Sequence, residues 1–232
     1  MIVAINYADE KFEVQRKFNT KTAYTKGKVD KVIEFSPADL DENFKREYRH
    51  ILSYSRGAGL WVWKPYIILK ALESLGENDY LFYCDAGAYY VDKVSFLVDK
   101  MNSTKQSIMG FGIPFLIRQF TKSETCFLMD FEDYNDNQLL AGYILLRKAN
   151  VTIKFMKDWL SYMKEEKILS FKKFISEVDE FEDFIIHRED QSVFSILYKK
   201  YNFEIFRDPS QLGIRMWENM WIPAYSSWSK PW

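Results

Sequence analysis

The chain has 232 residues, 47% of them hydrophobic and 28% charged, which excludes a disordered polypeptide and gives enough length for one sizeable core. Lys plus Arg is 32 and Asp plus Glu is 33, a net charge of -1, so no basic excess is available for binding nucleic acid by neutralising phosphates. No run of 18 apolar residues occurs, which excludes a membrane-spanning helix, and Cys84 and Cys126 are too few for a disulfide framework or a structural zinc site.

In chain order, Ile2-Val3-Ala4-Ile5 is a short continuous apolar run, the pattern of a strand buried on both faces. It lacks the basic start and long apolar stretch of a signal peptide, so the expected compartment is cytoplasmic. A helix is predicted over 13–26, a strand over Lys31–Phe35, a turn at Ser36-Pro37 and a helix over 40–54. Arg56-Gly57-Ala58-Gly59 then leads through Trp61 and Trp63 to Pro65, which suits the first turn of a helix and disfavours helical backbone at Lys64. Ile68, Leu69, Leu72 and Leu75 keep helical spacing, and Gly76 ends the helix. Tyr80–Cys84 reads as a buried strand closing on Asp85-Ala86-Gly87. Further strands are predicted over 108–113 and 139–146, and helices over 153–164 and from about Asp190 to Tyr201. Alternating strands and helices predict an α/β fold with a mostly parallel sheet, and the lack of a repeat or a Gly/Ser linker predicts a single domain over 1–232.

Three constellations carry polar chemistry. Asp85 stands where a buried strand gives out, the edge at which open α/β sheets bind ligands, although an Asp capping a turn explains the same residue. Arg56, Lys64 and any free N–H groups of the glycine turn make a plausible diphosphate seat, against the plainer reading of a turn with two core tryptophans. His187-Arg188-Glu189-Asp190-Gln191-Ser192 sets six polar residues between apolar runs at a predicted helix start. Capping by Asp190 or Ser192 accounts for one or two of them; the rest suggest an acid or base at Asp190 and charge neutralisation by His187 or Arg188. The acidic run 130–136 lacks the glycine and distal Glu of a calcium loop, and P-loop, HExxH and GxSxG signatures are absent. Trp217, Trp221, Trp228 and Trp232 crowd into the last 16 residues, a tail over 213–232 compatible either with packing on the core or with peripheral contact with a membrane.

Taken together, these pieces resemble small bacterial glycosyltransferases of the GT-A fold found among capsule and lipopolysaccharide gene products, similar in layout to the family 8 and family 32 glycosyltransferases. The resemblance rests on Arg56 to Tyr66, similar to RGxGxWxWKPY; on Tyr83 to Gly87 at the place of the DxD motif; and on Phe120-Thr121-Lys122. It also rests on Leu140 to Leu145 with its Ala141-Gly142 pair, on His187 to Ser192, and on Asp208-Pro209-Ser210-Gln211. It implies hexose transfer from a nucleotide-sugar, a UDP-sugar above all, to a saccharide or lipid-linked saccharide acceptor during surface polysaccharide synthesis, at the inner face of the membrane. On that reading Asn6 and Tyr7 face the nucleobase, Arg56, Gly57, Trp61, Trp63, Lys64, His187 and Arg188 surround the donor, and Ala141-Gly142 leaves room for the sugar. Asp85-Ala86-Gly87 approaches the ribose or a Mn²⁺ or Mg²⁺ ion held by Asp85. Asp190-Gln191 matches the Asp-Gln pair beside the anomeric carbon, with inverting and retaining chemistry both open. Gly87 departs from DxD at the usual metal ligand, so Arg56, Lys64, His187 or Arg188 is the alternative counter-charge. Two rival readings are a nucleotidylyltransferase, disfavoured because no glycine-rich loop follows the first strand, and a non-catalytic module binding glycan or nucleotide-sugar.

Overall fold

The computed structural model describes residues 1–210; Gln211 and the Trp-rich tail lie outside the described residues. Six strands form one sheet: β1 (Ile2–Tyr7), β2 (Lys31–Phe35), β3 (Tyr80–Cys84), β4 (Ile108–Leu116), β5 (Asn137–Arg147) and β6 (Ile205–Arg207). Their order is β2-β1-β3-β5-β4-β6, and five point one way. Only β5 runs against its neighbours β3 and β4, so the parallel sheet expected from the alternation carries one reversed strand. The reason is the connection. Between β4 and β5 the chain makes two short helical turns, Ile117–Phe120 and Ser123–Leu128, rather than the long crossover helix a parallel return requires.

Strand alternation builds two apolar layers. Val3, Ile5, Leu81, Tyr83, Ile144 and Leu146 face one side, whereas Ala4, Phe82, Cys84 and Leu145 face the other. Helices α1 (Glu13–Thr22) and α2 (Trp63–Ser74) follow β1 and precede β3, α3 (Ser95–Thr104) follows β3, and α4 (Asn150–Met163) and α5 (Glu189–Lys200) follow β5. The larger layer joins α2, α4 and α5 through Ile67, Ile68, Leu72, Phe155, Trp159 and Phe194. Burial on both faces explains why the strands read as unbroken apolar runs. Among the described residues no helix is long and apolar enough to cross a membrane.

Two helical predictions change at their ends. The helix predicted over 40–54 is two short pieces, Glu42–Glu47 and Arg49–Leu52, separated at Tyr48. Lys64, which the following proline was expected to hold outside a helix, lies in the first turn of α2, where its N–H donates to Trp61 O at 2.9 Å. Proline costs no intrahelical bond in a first turn, so its restriction on the preceding residue is overridden there.

Candidate functional site: a charged cleft at one sheet edge

All the elements of the site meet at the carboxyl edge of the parallel strands. Because β5 is reversed, its first half lies at that edge: Tyr143 pairs with Cys84, and Asp85 N donates to Gly142 O at 2.8 Å. Asp85 is thereby set beside Ala141-Gly142 although 56 residues separate Asp85 from Ala141. The cleft there encloses about 280 Å³ and is lined by Arg56, Trp61, Lys64, Asp85, Ala141, Gly142, Arg188 to Gln191, and two residues without polar side chains, Leu140 and Ile186.

The turn before α2 has an unusual backbone. Gly57, Ala58, Gly59, Leu60 and Trp61 all have positive φ, between 49° and 97°. Left-handed backbone costs a non-glycine residue roughly 1–2 kcal/mol, and three of the five are not glycine. A Cβ at Gly57 would lie 2.4 Å from the Trp61 ring, and one at Gly59 would lie 2.9 Å from Leu52 Cα, so both glycines are sterically required. The turn pairs its own backbone: Gly59 N donates to Tyr54 O, Leu60 N to Arg56 O, Trp61 N to Gly57 O and Val62 N to Gly59 O. The expectation of free N–H groups cradling a phosphate is corrected accordingly. What the turn presents to the cleft is side chains.

At the centre is the Lys64 ammonium, buried and 2.5 Å from Asp190 Oδ2, 3.6 Å from Asp85 Oδ1 and 3.1 Å from the Ala141 carbonyl. Burial pulls its pKa down, but Asp190 and Asp85 together push it above the ordinary lysine value, so it stays charged. Burial pushes the Asp190 carboxyl up to about 6, against the opposite pull of Lys64. Asp85 also accepts a hydrogen bond from Tyr83. Arg56 grips Glu189 with Nε at 2.6 Å and Nη2 at 3.4 Å, and its guanidinium lies 5.5 Å from the Trp61 ring centroid. Glu189 has φ of +32°, a strained backbone at the first residue of α5.

Capping, the ordinary explanation for Asp190, does not hold. The cap position is Arg188, whose N–H donates to Ser192 Oγ at 3.1 Å, leaving Asp190 to Lys64. Gln191 is fixed by donating to Gln138 Oε1 at 2.8 Å. The Arg188 guanidinium lies 4.9 Å from the ring centroids of both Phe115 and Phe120, and its Nε is buried with no hydrogen-bond partner among the described residues.

The structure places other expected residues elsewhere. His187 is not in the cleft: Lys122 N donates to its Nδ1, and its Nε2 faces Leu169 O at 3.1 Å. Burial first, and the Lys122 charge second, push its pKa down to about 3, so the ring is neutral and carries no counter-charge. Asn6 is buried and donates to Asn19 Oδ1 and Thr20 Oγ1. Tyr7 stacks on Trp63 at 3.8 Å, and Trp63 Nε1 donates to Gly57 O, so both rings belong to the core. Beyond them, at the ends of β1 and β2, a hollow of about 660 Å³ is bordered by Ala8, Asp9, Lys11, Arg16 and Ser36. Ala86 is buried, and a Cβ at Gly87 would meet nothing within 4 Å among the described residues. Asp208 is buried and accepts from Tyr143 and from Ser210 N. Glu189, Gln138 and Tyr83 were given no role from the sequence; Glu189 and Tyr83 carried a signal, their places inside the polar run 187–192 and the segment 83–87, and Gln138 carried none.

The donor set does not suit a hard divalent cation. The carboxylates of Asp85 and Asp190 are both turned to the Lys64 ammonium, and position 87 offers no side chain. Among the described residues no group of three His, Cys, Asp or Glu side chains is placed to hold a metal.

The chain matches no protein-family profile, and no curated protein matches it in sequence. In three dimensions it is similar to mouse xyloside xylosyltransferase 1 in its apo form, with 11% identity, TM-score 0.51, and coverage of 89% of this chain and 84% of that one. It is also similar to the bifunctional glycosyltransferase WbbM, at 8% identity and TM-score 0.50 over 90% of this chain, which spans only 38% of that protein. The galactosyltransferase LgtC, solved with donor and acceptor sugar analogues, aligns at 15% identity and TM-score 0.47, over 96% of this chain and 84% of that one. At such identities likeness speaks for the fold alone: a mostly parallel α/β sheet flanked by helices, the GT-A fold of nucleotide-sugar transferases.

Proposed function

We propose that this chain is a glycosyltransferase that moves a hexose from a nucleotide diphospho-sugar, a UDP-sugar, to a hydroxyl of a saccharide or lipid-linked saccharide acceptor in surface polysaccharide synthesis. The observation that carries the reading is Asp190: an acid at a helix start, free of any capping duty, turned into a charged cleft beside the small residues Ala141 and Gly142.

Each part of the cleft has a task in that reaction. The sugar sits over Ala141-Gly142, where a larger side chain would press on Asp85; a Cβ at Gly142 would lie 3.4 Å from Asp85 Oδ2. The hollow beyond Tyr7 and Trp63, along the same edge, takes the nucleoside in place of the contacts expected from Asn6 and Tyr7. The anomeric carbon–phosphate bond breaks with its electron pair leaving on the diphosphate, while the acceptor oxygen forms the new bond. The acceptor proton passes to Asp190, and Arg188 faces the negative charge of the departing diphosphate. Trp61, stiffened by its turn and by Arg56, offers an aromatic face to a sugar ring. A carboxyl tuned to about 6 is ionised at neutral pH, as a base must be.

The rival reading, a module that binds glycan or nucleotide-sugar without turnover, is separated by one experiment. Purified full-length protein is titrated calorimetrically with UDP and incubated with a panel of UDP-sugars, with release of UDP followed. Binding with release of UDP, to water or to an added saccharide, supports the transferase. Glycan binding with no turnover of any donor supports the module, and absence of UDP binding overturns the proposal.

A further inference from the structure

We propose that Lys64 takes the place of a divalent cation in this cleft, so that transfer runs without Mn²⁺ or Mg²⁺; the proposal deepens the transferase reading and rests on it. The position itself argues for the role. Lys64 Nζ contacts one carboxylate from the end of β3, one from the start of α5 and the carbonyl of Ala141 on β5. Two carboxylates and a carbonyl are the hard oxygen set that otherwise suits a divalent ion. Here they converge on an ammonium that is only 2% exposed and is tethered to a helix of the core.

A metal ion entering the same space would meet that ammonium within a few ångströms and would have to displace it. Displacement would strip Lys64 of both carboxylates and of the Ala141 carbonyl while leaving it buried, a severe cost for a charge. The usual remedy, a further carboxylate reaching the ion from the side, is missing at position 87. Among the described residues space does not forbid it, because a Cβ there would have no atom within 4 Å. The chain therefore has room for a second DxD carboxylate, lacks it, and carries a lysine between the remaining acids.

The charge balance agrees. The cleft sets three cations, Lys64, Arg56 and Arg188, against three carboxylates; Lys64 is shared by Asp85 and Asp190, and Arg56 pairs with Glu189. Arg188 has no ion pair among the described residues and keeps a buried, unbonded Nε, so a protein cation remains available to the diphosphate after the others are paired. Lys64 then does two things a bridging ion does: it holds the β3 and α5 carboxylates at a fixed separation, and it offsets half of their negative charge where a diphosphate must approach.

The test is a Mn²⁺ titration of the purified full-length chain by electron paramagnetic resonance, with and without UDP, alongside UDP-sugar turnover in EDTA. Wild-type protein is expected to take up no stoichiometric Mn²⁺ and to turn over at rates equal within about twofold in EDTA and in Mn²⁺, unlike a site whose charge stabilisation comes from a metal. Lys64→Ala, checked for folding by circular dichroism, is expected to gain one Mn²⁺ site from the two vacated carboxylates and to lose turnover in EDTA. One equivalent of Mn²⁺ on the wild type, or turnover abolished by EDTA and restored by Mn²⁺, overturns the proposal. A folded Lys64→Ala protein that takes up no Mn²⁺ also overturns it; should that variant not fold, the wild-type titration decides. If no UDP-sugar is bound or turned over under any condition, the transferase reading falls, and that outcome is distinct from Mn²⁺ uptake, which is read without turnover.

Discussion

Lys64 and Lys122 are both buried, both paired with a carboxylate, and both drawn from segments that resemble glycosyltransferase motifs, yet they end in opposite circumstances. Lys64 stands between two acids from different elements and borders the cleft, and its pKa is raised. Lys122 meets Glu124, two residues away, and donates to Lys172 O at 2.7 Å; burial outweighs the pull of Glu124 and, behind it, of Glu180 and Glu166, and lowers its pKa. Glu124 in turn accepts from Phe174 N, while His187 accepts from Lys122 N. The second group therefore pins the irregular segment between Ser170 and His187 onto the short helix Ser123–Leu128, and it takes no part in lining the Lys64 cleft. A buried charge acquires chemical use when it is shared across elements that open to a ligand, and a structural one when it closes a local loop.

The difference is sharpest at Asp190. Asp190→Asn removes the charge and keeps the shape, and it is expected to lower turnover about a thousandfold, as loss of a positioned base does, with UDP affinity nearly unchanged. Turnover and calorimetric UDP binding of the folded variant check this; full activity would remove Asp190 from its role. The counterpart on the other lysine is Lys122→Met, which strands the buried Glu124 carboxylate and is expected to cost about 3–5 kcal/mol of stability. Urea unfolding reads that loss, and turnover per folded molecule should stay at the wild-type level. The double variant with Glu124→Gln should recover much of the stability, and a Lys122→Met protein that is stable but inactive would break the contrast.

A pH profile probes the same pair more gently. Asp190 holds its proton below about 6 and is ionised above it. The rate at low substrate should therefore fall about tenfold per pH unit below that value, because a protonated carboxyl accepts no proton. The acid limb should vanish in Asp190→Asn. His187 contributes no limb in this range, since burial keeps its ring neutral down to about 3.

Much of this was legible in the sequence, for identifiable reasons. Apolar runs gave the buried strands, and Pro65 with Gly76 bracketed α2 to within two residues. The polar run 187–192 stood out because capping needs fewer groups than it contains. The direction of β5 was not legible, because an apolar run looks alike in a parallel or a reversed interior strand. Nor could pattern alone say which way a polar side chain turns: His187 and Asp190 lie three residues apart, yet one points into the loop anchor and the other into the cleft. The burial of Asn6 was not legible for a related reason, since its partner Asn19 lies on α1 and no local pattern announces that bond.

The smallest effects test how Lys64 is held in place rather than what it does. Gly59 has φ of +97°, and a Cβ there would come within 2.8 Å of Leu52 Cδ2 and 2.9 Å of Leu52 Cα. Backbone is less able to yield than a side-chain tip, so Gly59→Ala is expected to lower stability by about 1–3 kcal/mol and to weaken UDP binding by shifting Arg56 and Lys64 together. Gly87→Ala adds the same methyl group to a position with no neighbour within 4 Å among the described residues and should change stability by less than about 0.5 kcal/mol. Thermal unfolding of the two variants side by side decides the matter. Equal losses would mean that the left-handed turn is not what positions the cleft's central cation, whereas loss at Gly59 alone ties the geometry of the Lys64 cluster to the one strained turn that precedes α2.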